Sequence, residues 1–422
     1  TYFVGLIGSA SATGAVGVVF PLMAIIQAVG FMFGHGSGNY ISRALGSRRL
    51  EDANRMAATG FLSSLLTGAV MTLLGLALLQ PLVFVLGSTP TIAPYAEKYA
   101  FYILLGAPWM VSSLVLNNQL RFQGSAFYGM VGITAGAVLN IGLDPLFIFT
   151  FGMGVAGAAL ATIISQFVSF LLLLLGTRRG GNIRLRLRSF TPKASMFAEI
   201  FRGGVPSLCR QGLNSVATIC LNTAAGGYGD AAIAAMSIVT RVMMFASSAI
   251  IGFGQGFQPI CGFNYGAKLY GRVRKAFWFC VKLAFLLLVV IAVIGVCFAP
   301  QIVDLFIKDN PEVTTIGALA LQLQCLFFPC FSFVIMGNMM LQTMGMAFKA
   351  SLLAIARQGL FFIPAILILP RFFDLLGVQL SQPVSDVCSL ILAIPITLSV
   401  LRDLKAKEKA PDRQAAGGAQ TD

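Results

Sequence analysis

The chain has 422 residues, 57% of them hydrophobic and only 10% charged, and its mean hydropathy is +0.85. That composition excludes an ordinary soluble domain and places most of the chain in a bilayer. The formal net charge of +14 would suit a polyanion binder, but the bases cluster in short polar breaks between apolar runs, so the charge reports topology and not a nucleic-acid surface.

In chain order, the apolar runs predict membrane helices over residues 12–34, 56–83, 95–119, 126–150, 155–177, 199–224, 231–254, 276–299, 313–339, 349–370 and 378–401. These are eleven spans, preceded by a short apolar segment, and they define an all-α polytopic membrane protein. Between Phe279 and Phe298 the only charge is Lys282, whereas a soluble core helix would show a polar face. The basic breaks hold Arg43, Arg48, Arg49 and Arg55; then Arg178, Arg179, Arg184, Arg186, Arg188 and Lys193. Next come Lys268, Arg272, Arg274 and Lys275, and last Arg402, Lys405, Lys407, Lys409 and Arg413. Breaks at 85–97, 150–154 and 226–230 are nearly free of Lys and Arg, and 301–312 is net acidic. This alternation predicts cytoplasmic basic loops and a cytoplasmic C-terminus. The expected organisation is an N-terminal lobe at 1–177, a basic cytoplasmic linker at 178–198, a C-terminal lobe at 199–401 and a tail at 402–422, whose composition predicts disorder from Lys405 onward. No leader or transit segment is expected in the opening residues.

The chain contains itself twice. Gly34, Gly36, Gly46 and Arg48 return 220 residues later as Gly254, Gly256, Gly266 and Lys268; Pro108, Asn117, Gly124 and Phe127 return at 221 as Pro329, Asn338, Gly345 and Phe348. A repeat built of membrane spans points to a transporter. Residues 1–8 align with 221–228, so the first half is expected to lack most of an opening helix, with six spans per half in the parent architecture. An even number per half predicts two parallel repeats related by an axis along the membrane normal.

All eight cysteines lie between Cys209 and Cys388, without metal-ligand spacing, and read as free thiols in helices. The single histidine, His35, falls at the predicted cytoplasmic edge of the first span. It leaves no constellation for an intramembrane enzyme, and no phosphate-binding loop supports a primary pump. No cofactor is expected. Ionisable groups within spans are costly and are therefore functional candidates. Asp144 follows Asn140 by one turn, which puts both oxygens on one helical face, where they could bind Na⁺ or share a proton; a structural hydrogen bond is the alternative. Pro145 should loosen the helix there. In the second half, Arg210, Gln211 and Asn214 share one helix, Arg241 lies in the next, and Arg357 and Asp386 in later ones. Asp386 is the acid available to pair with Arg357 or Arg210, in an ionic network that serves as a staple or a substrate contact. Met243, Met244, Phe245, Phe257, Met336, Met339 and Met340 could line an adaptable cavity or pack in the core. The repeated glycines read as close-packing or helix-ending positions.

The segments Ile41-Ser-Arg-Ala-Leu-Gly46, Gly254-Gln-Gly-Phe-Gln-Pro259 and Asn264-Tyr-Gly-Ala-Lys268, with Leu116-Asn-Asn118, Leu139-Asn140, Leu143-Asp-Pro145 and Ile355-Ala-Arg-Gln358, resemble the multidrug and toxic compound extrusion (MATE) family, in the flavour of its bacterial MepA-type branch. The resemblance implies a monomeric inner-membrane antiporter with two six-helix lobes in a V around a central cavity, exporting amphipathic, often cationic small molecules in exchange for H⁺ or Na⁺. It also implies an N-terminal-lobe cation site in which Asn140, Asp144, Thr162, Tyr99 and Asn117 occupy matching positions. The family's helix-one aspartate would precede Thr1. For Tyr99 and Asn117 the competing reading is polar glue between helices. A lipid-linked-precursor flippase of the same superfamily is the alternative function, kept open by Arg210, Arg241 and Arg357. At an offset of 221, Asn140 and Asp144 meet Phe361 and Ala365, so the proposed ion site is not duplicated.

Overall fold

The computed structural model describes residues 2–179, 183–307 and 310–409; Gly180, Gly181 and the tail from 410, with Arg413, lie outside the described residues. Eleven long helical segments run through the described chain: α1 (Ala10–Gly46), α2 (Leu50–Ala77), α3 (Ala93–Phe122), α4 (Ala126–Pro145), α5 (Gly154–Arg179), α6 (Ala194–Gly226), α7 (Asp230–Gly266), α8 (Tyr270–Cys297), α9 (Pro311–Thr343), α10 (Ala347–Ile368) and α11 (Pro370–Lys409). By length and hydropathy ten of them can cross a membrane. The exception is α6, 33 residues long, whose apolar run is interrupted by Arg210, Gln211 and Asn214.

The helices outrun the apolar windows that predicted them. The first continues to Gly46 and the seventh to Gly266, because the backbone ladder persists through polar residues where hydropathy falls. The last reaches Lys409, so residues 402–409 are helical and not tail, and Glu408 there accepts from Arg274 Nη1 at 2.6 Å. The start of α11 is kinked at Asp374, with φ 49° and ψ −133°.

The repeat is written into the backbone. α1 and α7 share both ends at a shift of 220, and so do α2 and α8. Arg48 and Lys268 close their turns in the left-handed region, at φ 60° and 58°, and Gly124 and Gly345 at 94° and 81°. In both turns the N–H of the left-handed basic residue reaches a carbonyl three residues back, at 3.1 Å, which satisfies a helix end that would otherwise be orphaned.

The chain divides into two compact units, Thr1–Leu208 and Cys209–Asp422, with the boundary inside α6, whereas the sequence alone puts it in the 178–198 linker. In the first unit, Ile26, Ile103 and Leu104 are among the fully buried side chains. Part of the linker is tied to α2: Arg184 N–H donates to Asn54 Oδ1 at 3.0 Å, and Thr191 N–H to Thr59 Oγ1 at 3.2 Å. A methyl group on Gly204 would strike the Met32 carbonyl, and one on Gly36 would strike that of Ile200, so α1 and the start of α6 cross with their backbones in contact. Gly204→Val is expected to lower stability by about 1–3 kcal/mol, read as a drop in melting temperature of the purified protein; an unchanged melt would contradict this packing.

The second unit is built around Phe257, Phe277, Leu321 and Phe328. Of the expected cavity-lining residues, Met243, Phe257, Met336, Met339 and Met340 are buried in this core, and only Met244 and Phe245 are exposed. Gly254 accommodates Met339 as Gly34 accommodates Asn118, which is the close-packing role read from the repeat.

Candidate functional site

In the first unit, the end of α4 is disturbed where the sequence requires it. Pro145 cannot donate to the helix ladder, and the chain continues as a π turn over Leu146–Thr150, with Phe151 N–H reaching Leu146 O. Asp144 and Asn140 sit half-buried just before this turn, and Asn140 Nδ2 donates to Asp144 Oδ1 at 3.3 Å. Among the described residues the second carboxylate oxygen has no protein donor. From α3, the buried Tyr99 phenol faces the Thr162 hydroxyl and lies within electrostatic range of the Asp144 carboxylate; its own hydroxyl points to Met23 Sδ on α1 at 3.9 Å. Thr162 is anchored through its donation to Ala158 O at 2.9 Å. Asn140 thus bonds Asp144 directly and Tyr99 neighbours both Asp144 and Thr162, so three helices supply one carboxylate, one amide and two hydroxyls as hard oxygen donors.

Asn117 does not join them. Its side-chain oxygen packs where a Gly129 side chain would be, 3.3 Å from that position, and Gly129 precedes Asp144 by fifteen residues, about 22 Å of helix rise. It occupies the helix-packing role that competed with ligation.

The second unit holds an ion pair in a comparable irregular setting. A π turn over Ala356–Phe361 carries Arg357, whose Nε donates to Asp386 Oδ1 at 2.7 Å and whose Nη2 donates to Oδ2 at 3.5 Å. The Asp386 side chain is only 2% exposed. Gln382 Nε2 also donates to Asp386 Oδ1, at 2.9 Å, Ser385 holds the Arg357 carbonyl, and the guanidinium lies 4.0 Å over the Phe331 ring. Of the two pairings the sequence allowed, Arg357 takes Asp386. Arg210 instead donates to Asn338 Oδ1 at 3.4 Å, seven residues along α9 from Phe331, or about 10 Å. Arg241 and Asn214 are exposed and Gln211 half-buried, outside both contacts. Neither Arg210 nor Arg241 joins the Arg357–Asp386 contact.

A further polar cluster lies where α1, α3 and α6 meet. Because α1 continues past residue 34, His35 lies inside the helix and is 1% exposed, not at an edge. Its Nδ1 is 3.1 Å from Ser207 Oγ, and its Nε2 is 3.4 Å from Arg121 Nη2, which donates to Asn118 Oδ1 at 2.5 Å. Arg121 was the available signal, a cation at the end of a predicted span.

Two sequence-related helical units, ten membrane-capable helices and polar clusters at helix irregularities define a polytopic α-helical membrane protein of the transporter type. The MatE family model matches residues 1–146 and 206–367, and the chain belongs to that family. It is 28% identical over 412 residues to the multidrug export protein MepA of Staphylococcus saprophyticus, covering 97% of this chain and 90% of that protein. Among solved structures it resembles MATE in the bent conformation (TM-score 0.91, 27% identity, 97% of this chain and 91% of the other). It likewise resembles an outward-facing multidrug resistance MATE transporter of the MOP superfamily (TM-score 0.87, 28% identity, 94% and 89%).

Proposed function

We propose that the protein is a secondary-active exporter of amphipathic, cationic organic compounds in a bacterial plasma membrane, driven by inward movement of H⁺ or Na⁺ through the Asp144 cluster. The observation that carries this reading is the half-satisfied Asp144 carboxylate, with Asn140 bonded to it and Tyr99 within electrostatic range. A carboxylate in a span is expensive when charged and bare, so binding a proton or Na⁺ changes the relative free energies of conformations that expose it to different sides. A ligand with different affinities for two states shifts their populations, and coupling requires that difference. The relatives' multidrug activity supports the substrate class. The flippase alternative needs free arginines to hold a pyrophosphate, and Arg357 is neutralised by Asp386.

Cells lacking their own drug exporters and expressing this chain are expected to accumulate less of a fluorescent lipophilic cation than control cells. The difference should vanish when both ion gradients are collapsed. Equal accumulation with and without the protein contradicts the export reading.

A further inference from the structure

We propose that a groove on the second unit binds an anionic phospholipid, with an acyl chain along its apolar wall and the phosphate on Lys282. The groove is a cavity of about 520 Å³ lined by Trp278, Lys282 and Phe285 of α8, Pro329 and Phe333 of α9, and Leu390 of α11. It lies at the break in α9, where Pro329 withholds a backbone donor and the helix tightens into a 3₁₀ turn over Phe328–Cys330. The Trp278 and Phe333 rings flank it, 6.2 Å apart between centroids.

Lys282 is what selects the occupant. It is the one charge between Phe279 and Phe298, its side chain is exposed, and it has no ion-pair partner among the described residues. The nearby acids are engaged elsewhere, Glu408 with Arg274 and Asp386 with Arg357, and no carboxylate lines the groove. An unpaired ammonium within a span calls for an anion. Its depth suits a lipid phosphate: Lys282 is seven residues, or about 10 Å of rise, inward from Lys275 in the basic loop, and a lysine stem can lift its ammonium several ångströms back toward the head groups. Lys275, Trp278, Lys282 and Phe285 follow i, i+3, i+7, i+10 and share one face. From the loop inward the order is cation, interfacial aromatic, cation, apolar. A phospholipid of the leaflet beside the basic loop presents phosphate and then chain in the same order. A cationic drug would be repelled by Lys282, and a soluble anion would leave the apolar walls unused.

The chain has two tryptophans, so Trp109→Phe leaves Trp278 as the reporter. The full chain is reconstituted in phosphatidylcholine vesicles containing equal mole fractions of phosphatidylglycerol or phosphatidylcholine brominated on the acyl chain, and quenching is read. One lysine near anionic lipid should favour brominated phosphatidylglycerol about fivefold. Lys282→Met should erase the preference and Lys282→Arg should keep it, and saturating inorganic phosphate should leave it unchanged. Equal quenching by the two lipids overturns the proposal, and that comparison needs no change at Lys282. A preference that survives Lys282→Met, or one that free phosphate abolishes, overturns it as well.

Discussion

Asp144→Asn is expected to cut gradient-driven export of a lipophilic cation at least about tenfold, within the range of ordinary coupling free energies, while the protein melts within about 1 kcal/mol of wild type. The substitution keeps the shape and the hydrogen bond from Asn140 but removes the charge that a proton or Na⁺ would neutralise. Because Asp144 is half-buried and one of its oxygens has no protein donor among the described residues, little packing depends on its ionised form. The variant should therefore still exchange labelled for unlabelled substrate across the membrane, having lost the drive and not the pathway. Export at the wild-type rate in reconstituted vesicles would remove Asp144 from the mechanism. Loss of both export and folding would assign it the structural role instead.

Asp386→Leu is expected to be far more damaging to stability, by about 3–5 kcal/mol, because it strands the Arg357 guanidinium without its counter-charge. The Phe331 ring would remain over the guanidinium but carries no negative charge, and Gln382 Nε2 would lose its acceptor as well. The double variant Arg357→Met/Asp386→Leu should recover most of that loss, since well-packed apolar pairs often replace buried ion pairs at little cost. Unfolding of the four members of this double-mutant cycle, followed by denaturant or heat, gives the coupling directly. A stable single variant that fails only in transport would make the pair a substrate contact and not a staple.

The repeat explains which features were legible from sequence. Helix order, turns and even the left-handed basic residues at 48 and 268 recur because they depend on local chemistry. Asn140 and Asp144 were legible because i, i+4 geometry is fixed once the helix is. Tyr99 and Thr162 reach the same place from other helices, so only the family resemblance pointed to them, and the same resemblance misplaced Asn117. The Arg357–Asp386 pairing was one of two options that charge alone could not separate. At an offset of 221 these two residues correspond to Gly136 and Ser165, which also meet: a side chain on Gly136 would lie 3.0 Å from the Ser165 carbonyl. The same helix crossing is thus closed by an ion pair in one unit and by small residues in the other, a substitution invisible without coordinates. His35 lies within a helix that outruns its apolar window, so hydropathy does not reveal its burial.

If export is coupled to a cation through Asp144, ion flux in proteoliposomes must depend on both the exported compound and that carboxylate. With a pH gradient and a Na⁺ gradient imposed in separate experiments, adding a lipophilic cation should start H⁺ or Na⁺ movement down one of them in wild-type vesicles and in neither for Asp144→Asn. Ion movement that is indifferent to the added compound, or equal in wild type and Asp144→Asn, would show that Asp144 does not couple export to an ion.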